Sequence, residues 1–150
     1  MKIILDTEFT GLHQKTTLIS LAMVAEAGEE FYAEFTDYDK TQITPWIKEN
    51  VIKKLDGHLP AAAAIDINVY TIKLSGTCTE VVPVLKQWLA RFEAIEIWAD
   101  VLAYDWVLFC ELFGGVLAIP ENIFFAPFDL TTLFRLKRII EPVSKYEKDI

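Results

Sequence analysis

Cysteine is scarce in these 150 residues: there are two, Cys78 and Cys110, and no CxxC pair. That excludes a disulfide framework and a zinc ribbon, and a reducing cytoplasmic setting fits best. Histidine is as rare, with only His13 and His58. No stretch reaches the ~18 uninterrupted apolar residues of a membrane span. The greasiest window, Val107 to Ile119, is interrupted by Glu111. Nor is there a signal-peptide core, because Met1-Lys-Ile-Ile-Leu-Asp6 meets an acid too soon. Positive charge is in deficit: 14 Lys and Arg stand against 22 Asp and Glu, a net charge of −8. A protein that merely coats nucleic acid is therefore disfavoured. Repeats, low-complexity tracts and Pro/Ser-rich linkers are all missing, so one domain over 1–150 is expected.

What is abundant is apolar residue, 53 % of the chain, far from a disordered composition. A chain of this length can bury about 70 % of its unfolded surface. Lys2 to Asp6 reads as a buried strand that ends in a polar cluster. Thr16 to Ala25 and Glu30 to Phe35 read as two more, joined through Gly28 and Glu29 in a turn of open type. Thr44-Pro45 starts a helix whose stripe is Ile47, Val51 and Leu55, stopped by Gly57. A loop follows, then a short extended piece over Ile67 to Leu74. Val81, Val84, Leu85, Trp88, Leu89 and Phe92 make the clearest helical face. Its start is either Thr77, which has capping-box spacing to Glu80, or Thr79, which spares Pro83 an awkward place. Ile95 to Ala99 reads as a strand and Tyr104 to Phe113 as a short, almost wholly apolar helix. A last helix starts near Asp129 and runs toward Ile140. The order suits a mixed sheet with helices packed on it, an α/β layered domain.

The chemistry sits at strand ends. Asp6 and Glu8 are two apart, so both carboxylates project from one strand face. Two anions that close repel unless a cation or proton offsets them. For an arbitrary Asp-x-Glu, a turn cap beside a solvated glutamate is the commoner reading. Asp105 changes that balance. It lies just past the Ile95–Ala99 strand, where a carboxylate suits a helix N-terminus, and Arg91 is the only basic residue between Trp88 and Phe134. If the two strands are parallel neighbours, Asp6, Glu8 and Asp105 converge at their carboxyl ends, the edge where open α/β sheets place ligands. Three oxygen ligands without cysteine or histidine suit Mg²⁺ or Mn²⁺. A plain N-cap role for Asp105 is the competing reading.

Asp6-Thr-Glu-Phe-Thr-Gly11 resembles the first motif of the DEDD-type 3′–5′ exonucleases, which have a ribonuclease H-like fold. The block from Trp98-Ala-Asp to Ala103-Tyr-Asp105-Trp106, followed by Leu112-Phe-Gly114, is similar to the middle motif of one branch. That branch is the small mycobacterial-type 3′–5′ exoribonucleases, related to ribonuclease T and oligoribonuclease. The resemblance implies an antiparallel meander followed by a parallel strand, flanked by helices. It implies two divalent ions about 4 Å apart across the scissile phosphate, with Asp6 holding both and Glu8 and Asp105 each helping to hold one. It further implies that the backbone of Phe9, Thr10 and Gly11 meets the terminal nucleotide, with the Phe9 ring free to stack on a base. The expected partner is a single-stranded 3′ end, RNA ahead of DNA, and a homodimer is expected from the family alone. Trp106 is expected in the core. Arg135, Lys137 and Arg138 offer either a basic patch or simply a solvated helix face.

The family's final block, a histidine a few residues before a fourth metal-binding aspartate, has no counterpart here. His13 and His58 lie far upstream; Asp129 reads as a helix cap, and Asp149 is one residue from the end with no helix behind it. A fragment, a truncated protein and an inactive relative all account for this, and either of the first two is the favoured expectation. The chain as written is then expected to bind metal weakly and to cleave RNA poorly or not at all. The alternative function is a catalytically inactive nucleic-acid-binding or protein-interaction module of the same fold. A nucleotide-binding α/β domain is weaker, for want of a Gly-rich phosphate loop.

Overall fold

A computed structural model of the chain describes residues 1–138. Ten helices and strands follow in the order β1 (Lys2–Phe9), β2 (Leu18–Ala25), β3 (Glu30–Phe35), α1 (Pro45–Asn50), β4 (Thr71–Gly76), α2 (Cys78–Leu89), β5 (Glu96–Ala99), α3 (Ala103–Glu111), β6 (Phe128–Asp129) and α4 (Leu130–Lys137). The strands form one six-stranded sheet ordered β4-β3-β2-β1-β5-β6. The central pairs β1–β2 and β2–β3 are antiparallel, while β1–β5, β3–β4 and β5–β6 are parallel. This is the mixed, ribonuclease H-like α/β architecture that the motifs imply.

Alternation builds the core. Ile3, Leu5 and Thr7 of β1 point inward, while Ile4, Asp6 and Glu8 lie on the opposite, partly exposed face. The inward side chains join Met23, Phe31, Leu74 and Ile97 beneath Val81, Leu85, Trp88 and Leu89 of α2 and Phe109 of α3. Trp106 packs against this cluster and stacks on Phe109. A smaller cluster joins Ile19 to Ile47 and Val51. Helix α2 begins at the earlier of its two expected starts. Thr77 accepts from the Glu80 N–H while Glu80 reaches back to the Thr77 N–H, a complete capping box, and Pro83 is accommodated inside the helix.

Several boundaries differ from expectation, each for a local reason. Strand β1 runs three residues past Asp6, because β2 stays paired alongside it as far as Leu18. The stripe of Ile47, Val51 and Leu55 holds, but α1 ends at Asn50 and a separate 3₁₀ turn, Ile52–Lys54, carries the chain on. The extended piece begins at Thr71, not Ile67, since Asp66 accepts from the Asn68 N–H and turns the chain there. That piece is a true edge strand beside β3. The two-residue β6 was not expected at all. The loop before β3 turns at Gly28, whose φ of +98° suits glycine and whose face Tyr70 covers. The expected continuation of the last helix to Ile140 lies outside the described residues.

Candidate active site

The extension of β1 matters because it puts the acidic pair on a strand held on both sides. Asp6 pairs in register with Ala22 and Glu8 with Ser20, and the register shifts only between Glu8 and Phe9. Such bulges re-aim side chains near functional sites. On its other side β1 runs parallel to β5 over Lys2, Ile3 and Ile4. Beyond Ile4 this ladder stops, and α3 enters the gap.

There Asp105 closes the arrangement. It is the third residue of α3 and only 8 % exposed. Its Oδ1 accepts from the Thr7 N–H at 2.9 Å and from the Thr7 hydroxyl at 2.6 Å. Thr7 stands between Asp6 and Glu8, so residues 98 positions apart meet at the centre of the pair. The N-cap reading of Asp105 does not hold, because the N-cap of α3 is Leu102, without a side-chain cap bond.

All three carboxyls are held above the usual carboxylate range. For Asp6 the causes are burial, then the charges of Asp105 and Asp100. For Glu8 they are burial, then Asp6 and Asp105, partly offset by Lys54. For Asp105 burial dominates, with Asp100 adding, against the lowering effect of the Thr7 hydrogen bonds. Negative charge is thus concentrated where little cationic charge answers it. Asp100 belongs to this field and was not singled out from the sequence. Among the described residues, no three His, Cys, Asp or Glu side chains already stand together as a metal cage. The donor set is oxygen only, compensated only in part and mounted on a strand and a helix, and it fits a hard divalent cation in kind.

Next to Glu8 opens a cavity of about 530 Å³, lined among others by Phe9, Gly11, Leu12, His13, Trp46 and Ile47. Leu12 is 78 % and Trp46 55 % exposed, so two large apolar side chains stand at this cavity without being core. Sequence reading missed both; Trp46, directly after the helix-starting Pro45, was the available signal. Phe9 stacks on Tyr104 at 5.2 Å between ring centroids, so its ring is already committed on one side. Thr10 is buried, and its hydroxyl bonds to the Thr17 N–H, to Thr17 and Thr16 hydroxyls, and to Gln42. The Thr10 N–H donates to the Thr17 carbonyl and the Gly11 N–H to Thr16 Oγ1. These groups hold the loop that shapes the cavity wall. A Cβ on Gly11 would lie 2.7 Å from the exposed His13 ring, which would have to swing aside. His13, two residues past the Asp6–Gly11 motif, also lines the cavity beside Glu8. A second cavity of about 190 Å³, lined by Asp6, Glu8, Ser20, Tyr32, Asn50 and Lys54, adjoins the carboxylates.

Comparison with known proteins gives the family. A family model described as the 3′-5′ exoribonuclease Rv2179c-like domain matches residues 1–149. The chain belongs to this family. It is 33 % identical over 125 residues to the 3′-5′ exoribonuclease Rv2179c of Mycobacterium tuberculosis strain H37Rv, over 82 % of this chain and 67 % of that protein. The 3′-5′ exoribonuclease MT2234.1 of strain CDC 1551 matches to the same extent.

Of the two downstream aspartates, Asp129 caps α4 by accepting from the Thr132 N–H at 2.6 Å. Asp149 lies outside the described residues. Arg135, Lys137 and Arg138 are all exposed on or just after α4. Both cysteines are free, and burial pushes each thiol up to about 11, so neither is a poised nucleophile. No helix among the described residues is long and apolar enough to cross a membrane.

Proposed function

We propose that this chain is a metal-dependent 3′–5′ exoribonuclease domain of the DEDD type, releasing nucleoside monophosphates from the 3′ ends of single-stranded RNA. The observation that carries the reading is the pair of bonds from Thr7 to Asp105, which bring a third carboxylate to the Asp6–Glu8 pair. Family membership supplies the reaction class. Asp6, Glu8 and Asp105 would hold Mg²⁺ or Mn²⁺, hard cations that suit carboxylate oxygens and offset their mutual repulsion. Bound divalent ions would supply Lewis-acid activation of a water and charge stabilisation at the scissile phosphate.

The chain's own residues do the rest. Strand β1 fixes Asp6 and Glu8 two positions apart, and Thr7 anchors one oxygen of Asp105 beside them, which limits the rearrangement needed to close on an ion. The cavity beside Glu8 receives the terminal nucleotide. Leu12 and Trp46 offer apolar surface to its base, since base–aromatic contact needs no sequence code. Phe9, stacked on Tyr104, and Gly11, under His13, form the floor between cavity and carboxylates. Lys54 is the cation that faces Glu8 across the smaller cavity and suits a backbone phosphate.

The test is an oligoribonucleotide assay with Mn²⁺, using substrate labelled at either end. Stepwise loss of the 3′ label as mononucleotide, slow because no histidine follows Asp105 to serve as general base and abolished by Asp6→Asn, supports the proposal. Binding of the oligonucleotide without any Mn²⁺-dependent cleavage would overturn it in favour of a nucleic-acid-binding module.

A further inference from the structure

Asp105 owes its place to where α3 begins, and that beginning is held from outside. The turn Asp100–Leu102 joins β5 to α3. Its middle residue, Val101, has φ of +50° and is 67 % exposed. A β-branched side chain in left-handed backbone is an outlier, and such a conformation persists only where the surroundings over-determine it. Two bonds from one neighbouring segment do so. Asp129 accepts from the Leu102 N–H through Oδ2 at 3.3 Å while its Oδ1 caps α4. Thr131 donates to Asp100 Oδ1 at 2.5 Å. The segments are neighbours because β5 and β6 pair in parallel, Ala99 beside Asp129, with Trp98 and Phe128 rings stacked at 4.6 Å.

We infer that Asp129 and Thr131 are positioning residues for the metal-binding carboxylate Asp105, acting as a clasp that sets the first turn of α3. The inference rests on the function proposed above. Leu102 is the N-cap of α3 and has no side-chain cap of its own; Asp129 gives its amide an external partner while capping its own helix. Asp105 sits three residues further on and meets Thr7 only if that turn keeps its phase. The clasp therefore does for Asp105 what outer-shell partners do for a metal ligand: it fixes orientation without touching the ion. It also gives Asp129, otherwise an ordinary helix cap, a reason to be a carboxylate, since a hydroxyl suffices for the cap but one oxygen cannot serve both helices.

The full chain carries the test. Asp129→Ser keeps an oxygen for the Thr132 N–H but is too short for Leu102, and Thr131→Val removes the bond to Asp100 from an accessible helix position. In metal-free protein the Thr7 amide, bonded to Asp105, should exchange its hydrogen about tenfold faster in Asp129→Ser, with the Ile3 and Leu5 amides unchanged. Mn²⁺ affinity, measured by calorimetry, should weaken by about tenfold. Thr131→Val should shift both readouts in the same direction to a smaller extent, and Thr131→Ser should restore them. Wild-type exchange at Thr7 and wild-type Mn²⁺ affinity in well-folded clasp variants overturn the inference. If Asp129→Ser fails to fold, the Thr131 pair decides alone. A wild-type chain without Mn²⁺ affinity, or Asp105→Asn with undiminished affinity, overturns the metal site and the clasp with it, so the two failures are told apart.

Discussion

The two faces of β1 are built to opposite rules. Ile3 and Leu5 are sealed among side chains from four strands and two helices. One residue along, Asp6 and Glu8 face outward into a field of like charge, which Lys54 partly relieves at Glu8. The inward face contributes stability; the outward face withholds it. Both depend on the same backbone, so the sealed face is what lets the charged face keep its geometry. This division is expected where a binding site is mounted on a rigid scaffold and part of the stability is given up to keep charges in reserve.

The largest contrast should come from Leu5→Ala, a cavity in the sealed face. It should cost about 3 kcal/mol in urea unfolding, with loss of activity only as the protein unfolds. Asp6→Asn should do the reverse. RNA hydrolysis should drop by at least ~100-fold, the upper range for losing a mere outer-shell partner. Metal-free thermal stability should meanwhile rise, by ~1 °C given the screening at a half-exposed site. Thr7→Val joins the two faces, since its methyl packs inward and its hydroxyl serves Asp105. Loss of that charge-assisted bond should cost about 1.5 kcal/mol, and Mn²⁺ affinity should fall although no ligand is removed. Thr77→Ala, remote from the carboxylates, should cost about 1 kcal/mol through the α2 cap and leave Mn²⁺ affinity alone.

The smallest effect is pH. Asp6, Glu8 and Asp105 have their folded-state affinity for protons raised. Groups of this kind stabilise the fold when protonated, and the contribution disappears as pH rises through the raised values. Metal-free protein should therefore become slightly more stable as pH falls from neutral toward the upper edge of the carboxylate range, about 5. Below about 4 the trend should reverse, as Asp129, held low by the Thr132 and Leu102 amides, loses its charge. Saturating Mn²⁺ should flatten the first limb, which thermal melts across pH 4–8 will show.

Much of this was legible beforehand, because the informative signals were local. The i, i+2 spacing put Asp6 and Glu8 on one face, Thr77 and Glu80 spelled a capping box, and Asp129 marked a helix start. The meeting of Asp105 with the pair followed once β1 and β5 were taken as parallel neighbours. What escaped was non-local or dictated by a partner. The bounds of β4 are set by its pairing with β3 more than by its own pattern, and two-residue β6 has no pattern to read. The hydroxyl of Thr10 is held by Thr17 and by Gln42, the latter 32 residues away. Trp46 and Leu12 reach the cavity from separate segments, and the second bond of Asp129 spans 27 residues. Hydrogen bonds at such separations leave no trace in periodicity or composition.

The most direct test of the carboxylate site is paramagnetic. Sub-stoichiometric Mn²⁺ added to isotope-labelled protein should first broaden the backbone amides of Asp6, Thr7, Glu8 and Asp105, while amides at the opposite, amino-terminal end of β5 stay sharp. Survival of those four signals while other amides vanish would contradict the account.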